Sequence, residues 1–208
     1  MTLISNKKKF IYIKNKKVAG TSIESYFEKY CIPYRTDYKQ SHQTDYLETE
    51  YGIRTSRNCG SEGTLQNHSS IHQIKNYIGN EKFNSYIKFC VIRNPYDKMV
   101  SYYFFLKKNR GLELTFKEFC KTFDCRNIDR YTIHGKSYID FYIRFEYLLD
   151  DLKKVCEILE IEFKIEDLKN YKNEYREKKP YQDFYDEETK KIVYEKHKDE
   201  FENFKYQF

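Results

Sequence analysis

The chain has no tryptophan, three prolines and seven glycines in 208 residues, so a Pro- or Gly-rich linker between independent domains is excluded. No internal repeat appears. No apolar run reaches the length of a membrane span, and the opening MTLISNKKKF is too polar and too short for a signal peptide. None of the six cysteines (Cys31, Cys59, Cys90, Cys120, Cys125, Cys156) forms a CxxC pair. That removes the common zinc-ribbon and dithiol patterns. Cys90 and Cys156 fall in apolar patterns that suit buried thiols. Without a secretory signal the cysteines are expected to be reduced, and nothing supports a Cys120–Cys125 bridge. A dense basic block is also missing. The formal net charge is +6, but basic and acidic residues are mixed, and Lys7-Lys8-Lys9 is a short solvated strand entry. The many tyrosines and phenylalanines fall mostly at core spacing. These features speak against a nucleic-acid module and leave a single cytoplasmic domain over 1–208 with affinity for anionic ligands as the expectation.

Two segments carry chemistry. Phe10 to Phe27 reads FIYIKNKKVAGTSIESYF. A β-branched and aromatic run (Phe10, Ile11, Tyr12, Ile13) enters a basic turn and then passes through Gly20, Thr21 and Ser22 into a helical pattern. Strand, loop and helix in this order direct backbone N–H groups, two hydroxyls and an ammonium to a helix N-terminus, where phosphate or sulfate is favoured. Gly20 is read as letting the backbone approach an anion. Thr21 and Ser22 either cap the helix or donate to the ligand. Lys17 offers a compact charge for a leaving oxygen. The loop is not that of the nucleotide triphosphatases, whose lysine follows the second glycine directly before Ser/Thr. The competing reading is an ordinary capped helix after a buried strand.

Tyr86 to Phe105 reads YIKFCVIRNPYDKMVSYYFF. Ile87 to Ile92 suits a strand buried on both faces. Arg93 stands at its end, Pro95 suits the first helical position, Asp97 lies in the first turn, and Val100, Tyr103 and Phe104 recur at helical spacing. Ser101 falls about two turns into that helix. Open α/β sheets bind ligands beyond the C-terminal strand ends. Lys17, Thr21 and Ser22 at one end, with Arg93 and Ser101 at another, suit a ligand with two separate anionic groups.

Lys17-Val18-Ala19-Gly20-Thr21-Ser22 resembles the 5′-phosphosulfate loop of sulfotransferases that use 3′-phosphoadenosine 5′-phosphosulfate (PAPS). Arg93-Asn94-Pro95-Tyr96-Asp97-Lys98 through Ser101 resembles their 3′-phosphate motif. The nearest likeness is to the carbohydrate-type group called sulfotransferase family 2. Asp140 to Leu148 (DFYIRFEYL) is similar to that family's Arg-Phe-Glu strand, and Tyr181 to Phe208 to its terminal region. Many relatives have proline before the loop lysine, where this chain has Lys16.

The resemblance implies an α/β fold related to P-loop NTPases, with a mainly parallel central sheet flanked by helices. It implies PAPS as co-substrate, no required metal, and transfer to a hydroxyl of an acceptor, a carbohydrate first and a protein tyrosine still open. Lys17, Ala19, Gly20, Thr21, Ser22, Arg93 and Ser101 are the implied cofactor-binding residues. Lys17 is also catalytic. His68 is the first choice of general base, with His72 and Glu24 next. Arg144 and Glu146 are read as buttresses of the loops, and Arg176, Lys178 and Lys179 either as a solvated basic turn or as the source of one further phosphate contact. The i, i+4 spacing of His68 and His72 also suits a metal, but no zincin-type Glu accompanies it.

The patterns further predict a helix from His68 to Ile78 with Asn67 as its cap and Gly79 as its stop. They predict helices over Leu148–Leu159 and Glu187–Phe204, and a poorly patterned variable stretch over 31–64 of the kind that forms lids or acceptor-binding loops. A nucleotide kinase or other P-loop NTPase, and a non-catalytic protein that binds glycan or the product nucleotide (PAP), are the alternatives.

Overall fold

The computed structural model describes residues 1–33, 45–56, 64–169 and 179–208. In chain order the elements are β1 (Leu3–Ser5), β2 (Phe10–Ile13), α1 (Gly20–Phe27), β3 (Leu47–Thr49), β4 (Gly52–Arg54), α2 (Ile71–Ile78), α3 (Asn80–Ser85), β5 (Ile87–Ile92), α4 (Pro95–Arg110), α5 (Phe116–Thr122), α6 (Ile128–Tyr131), β6 (Thr132–Ile133), β7 (Lys136–Ser137), β8 (Phe141–Arg144), α7 (Leu148–Ile158), α8 (Glu187–Lys196) and α9 (Lys198–Phe204). They sort into two compact units. One holds the described residues of Met1–Asn15, Ala19–Ile92 and Asp129–Tyr171. The other holds those of Lys16–Val18, Arg93–Ile128 and Lys172–Phe208.

The first unit is built on a six-stranded sheet in the order β3-β4-β1-β2-β5-β8. The expected α/β architecture is present, and the sheet is mixed. β2, β5 and β8 run parallel, with Ile13 beside Cys90 and Ile92 beside Arg144. β1, β3 and β4 add antiparallel pairings on the other side. The parallel part is apolar on both faces because helices cover it. Phe10, Ile11, Tyr12, Ile13, Phe89, Cys90 and Val91 are all fully buried. Phe10, Phe27 and Phe89 pack ring to ring within 5.0–5.6 Å, which ties α1 to the two central strands. β2 and β5 therefore deliver the two motif loops from neighbouring, co-directional strand ends, where α/β sheets bind ligands.

β3 and β4 belong to the stretch that reads as a variable loop. Their residues mix strand formers (Thr49, Ile53) with types depleted in strands (Glu48, Gly52), and each strand is too short to show a period. Residues 34–44 and 57–63 of that stretch, including Cys59, lie outside the described residues. Arg54 of β4 is buried against Glu28, with Nη1 2.7 Å from Oε1. Gly52 lies against β1: a Cβ there would sit 2.0 Å from the Ile4 carbonyl oxygen. Because that neighbour is backbone inside a paired strand, Gly52→Ala is expected to destabilise the protein by about 3–5 kcal/mol. Urea denaturation of the variant checks this, and a loss below about 1 kcal/mol would mean that the β1–β4 edge yields easily.

α2 starts later than the pattern suggests. Its cap is Ser70, not Asn67, in a reciprocal capping box with Gln73, and Gly79 ends it as expected. His68 therefore precedes the helix. In α7, Leu152, Val155 and Cys156 are buried, with Leu159 just beyond the helix end, but Leu149 is exposed.

The second unit gathers α4, α5, α8 and α9 around an aromatic core of Tyr96, Met99, Tyr103, Phe119, Val193 and Phe201. Asn94 caps α4 by accepting from the Tyr96 N–H at 3.0 Å, and Pro95 opens the helix. Val100 and Tyr103 are buried as their spacing predicts, and Phe104 packs partly buried against the same core. The expected terminal helix from Glu187 to Phe204 is instead α8 and α9, broken at the buried His197. No glycine or proline marks the break, which falls in the polar run over residues 195–200, a stretch equally compatible with a continuous solvated helix.

Candidate active site

In the first unit the chain leaves β2 through Lys14 and Asn15, both buried. Asn15 Nδ2 donates to the Val91 carbonyl at 2.9 Å, joining the exit of β2 to β5. The Lys14 ammonium is paired with the carboxylate of Glu24, which also meets the Met1 amino group. Glu24 is fully buried in these ion pairs, so its carboxylate is committed to structure.

Ala19, in the left-handed region at φ 58°, opens α1, and no side chain caps that helix. Thr21 and Ser22 are thus not caps, and the Ser22 N–H donates to the Ala19 carbonyl at 3.0 Å. Gly20 is also required by packing. A Cβ at Gly20 would meet the Lys14 side chain at 3.2 Å and the Tyr12 hydroxyl at 3.3 Å. The missing side chain thus makes room for protein, and the unusual loop backbone falls at Lys17 (φ 60°) and Ala19.

His68 packs against the base of the same loop. Its Nδ1 lies 2.9 Å from the Lys14 carbonyl oxygen, and Arg130 Nη1 donates to the His68 carbonyl. A carbonyl only accepts, so Nδ1 carries the proton and Nε2 is the acceptor. Burial, then the Lys14 charge, pushes the imidazole pKa down to about 2. The ring is neutral, held in one tautomer, on a backbone at φ 64°. A left-handed non-glycine residue of this kind is a strained position typical of functional sites. His72 lies on α2, exposed, with Nε2 3.4 Å from Asn76 Nδ2. The two histidines do not share a helix, so the metal spacing is accidental. Among the described residues no group of three His, Cys, Asp or Glu could hold a metal ion.

In the second unit the loop tip and the second motif meet. Arg93 Nη1 donates to the Lys17 carbonyl at 3.1 Å, and its Nε donates to Asp97 at 2.7 Å. Lys16 is exposed, while Lys17 is half-buried with its ammonium 4.1 Å from the centre of the Phe105 ring. The Lys16 backbone is gripped by Asn127, whose Oδ1 accepts from the Lys16 N–H at 2.8 Å and whose Nδ2 donates to the Lys16 carbonyl at 3.2 Å. Ser101 lies on α4, partly exposed.

In the first unit Arg144 clasps Asp151 of α7, with Nε and Nη2 at 2.7 Å each. Glu146 is exposed beside it. Arg176 and Lys178 lie outside the described residues, and Lys179 is exposed. The five described cysteines are free thiols, Cys120 and Cys125 among them.

The structure thus brings Lys17 to Arg93 and His68 to the loop base at Lys14. It adds Asn15, Asp97, Arg130 and Asn127 as supports. Asp97 was legible as an acidic residue near Arg93. Asn127 had no signal, because an isolated asparagine far along the chain has no local pattern.

β2, the loop after it and α1 stand beside β5, a parallel neighbour whose end leads into Arg93, and this is an α/β arrangement of strand, loop and helix. The profile of the Sulfotransferase family matches residues 1–207. The chain belongs to the sulfotransferase family, whose members generally take sulfate from PAPS. It is also similar to an uncharacterized protein of Archaeoglobus fulgidus, 36% identical over 89 residues, which cover 39% of this chain and 74% of that protein. No solved structure matches. No helix among the described residues is long and apolar enough to cross a membrane.

Proposed function

We propose that the protein transfers a sulfuryl group from PAPS to a hydroxyl of a carbohydrate acceptor. The observation that carries this reading is the hydrogen bond from Arg93 to the Lys17 carbonyl, which joins the two anion motifs. The uncapped start of α1 supports it independently, since those N–H groups suit a phosphate.

PAPS, when bound, supplies a sulfuryl group on a phosphate leaving group. The backbone N–H groups of Ala19, Gly20 and Thr21, with the Thr21 hydroxyl, bind the 5′-phosphate; Ser22, buried and with its N–H on the Ala19 carbonyl, is the weaker member of the set. Arg93 and Ser101 bind the 3′-phosphate. Lys17 offsets negative charge that grows on the bridging oxygen, as such transfers require. His68 accepts the acceptor's hydroxyl proton at Nε2. A bound polyanion raises the His68 pKa from its depressed value toward the range where it takes that proton. His72, exposed, and Glu24, locked in ion pairs, are weaker candidates on the same physical grounds.

Calorimetric titration with PAP, with AMP and with ATP plus Mg²⁺ tests the reading. PAP is expected to bind without metal and at least about tenfold more tightly than AMP, because AMP lacks the group held by Arg93. Binding of ATP with Mg²⁺ in place of PAP would return the loop to the NTPase class. Labelled PAPS screened against glycans and a tyrosine peptide then identifies the acceptor, and PAP binding without any turnover would indicate a non-catalytic binder.

A further inference from the structure

Asn127 is 2% exposed, and its side chain makes a two-way clasp on the Lys16 backbone. The clasp defines the amide orientation, since turning it over would set donor against N–H and oxygen against carbonyl. Asn127 is itself held. Its backbone N–H donates to Glu200 Oε1 at 3.0 Å. The other oxygen, Oε2, is paired with Lys98 and lies 3.1 Å from His197 Nδ1. Lys98, Glu200 and His197 are all at least nine-tenths buried. Burial works against the Glu200 carboxylate, but Lys98 and His197 hold it ionised, with its pKa down at about 2. This charged cluster sits at the break between α8 and α9, and the break turns His197 onto Glu200. The next residue along the loop, Lys17, is held through its carbonyl by Arg93.

We propose that Asn127 is a positioning residue for the donor loop. Anchored on the Lys98–Glu200–His197 cluster, it fixes the Lys16 backbone so that Lys17 is presented to the donor. The proposal rests on the PAPS reading above. It assigns the break in the terminal helix a role in that reading, because the break seats the anchor.

The test is a double-mutant cycle read by calorimetry with PAP, using Asn127→Ala, Lys17→Ala and the pair, with adenosine 3′-monophosphate as the second probe. Asn127→Ala is expected to weaken PAP by about tenfold, as loss of two neutral hydrogen bonds allows. The same change on the Lys17→Ala background is expected to cost less than about threefold, since coupled residues are non-additive. Adenosine 3′-monophosphate, which does not reach the loop, should bind both proteins alike. If Asn127→Ala does not fold, Asn127→Asp replaces it in the cycle. The aspartate keeps the acceptor for the Lys16 N–H and loses the donor. Equal penalties on both backgrounds, or an equal loss of adenosine 3′-monophosphate, would assign Asn127 a structural role only and overturn the proposal. Unchanged PAP affinity in Asn127→Ala would overturn it too and leave the PAPS reading standing. Failure of the unmutated protein to bind PAP removes both.

Discussion

Replacing His68 by asparagine is expected to lower sulfuryl transfer by about 10²–10⁴-fold, the usual contribution of a positioned general base. PAP should bind within about twofold of the original, because proton removal is felt only in the transition state. Asparagine is the informative substitution. It tolerates the left-handed backbone at φ 64°, and its amide can donate to the Lys14 carbonyl as Nδ1 does. It lacks the basic Nε2. Turnover of labelled PAPS with the acceptor found by screening measures the effect, and an unchanged rate would leave His68 as a strut for the loop.

The same variant carries a stability signature. Folded His68 stays neutral down to about pH 2, whereas the unfolded side chain takes a proton near 6.5. Between those values the unfolded chain binds more protons. The contribution is therefore complete above pH 6.5 and is lost as pH falls, at about 1.4 kcal/mol per pH unit. Urea denaturation at pH 7, 6 and 5 should show the asparagine variant losing stability less steeply than the original. Parallel curves would contradict the burial of a neutral imidazole. His197 is also lowered by burial and adds a slope of the same sign, but it is common to both proteins and cancels in the comparison.

Arg93→Ala is expected to weaken PAP by about tenfold to a hundredfold, the range for one charge-assisted hydrogen-bonding group. Arg93→Lys should recover little of that loss. A lysine has one nitrogen, and it cannot donate to Asp97 and to the Lys17 carbonyl from the separate positions that Nε and Nη1 occupy. Calorimetry on both variants decides between shape and charge. Full recovery by lysine would mean that Arg93 serves as a point charge and that its bridge to the loop is incidental.

Much of this was legible in the residues. The apolar runs of β2 and β5, Pro95 after Asn94, and the aromatic spacing of α4 are local signals whose physics operates over a few residues. They mark the two strands and the helix start that flank the loops. The same locality explains the errors. The capping box at Ser70 outweighed Asn67 because a reciprocal pair satisfies two backbone donors where a lone asparagine satisfies one. The break at His197 was hidden because no glycine or proline marks it and the polar run over residues 195–200 suits a solvated helix as well as a break. At Gly20 the packing against Lys14 and Tyr12, a contact the loop makes with its own strand, had no local signal.

By itself the sequence determined which strands are buried, where the two loops that follow them lie and which side chains are candidates for the chemistry, because burial pattern, turn chemistry and charge are properties of short segments. Only the tertiary structure decided which of those groups are committed elsewhere. Glu24 is taken by Lys14, His68 is held in one tautomer by a carbonyl, and the loop tip is held by Arg93 and Asn127 from distant parts of the chain. Those outcomes depend on hydrogen bonds between residues far apart in sequence, whose partners are set by the packing of whole elements and leave no trace in local spacing.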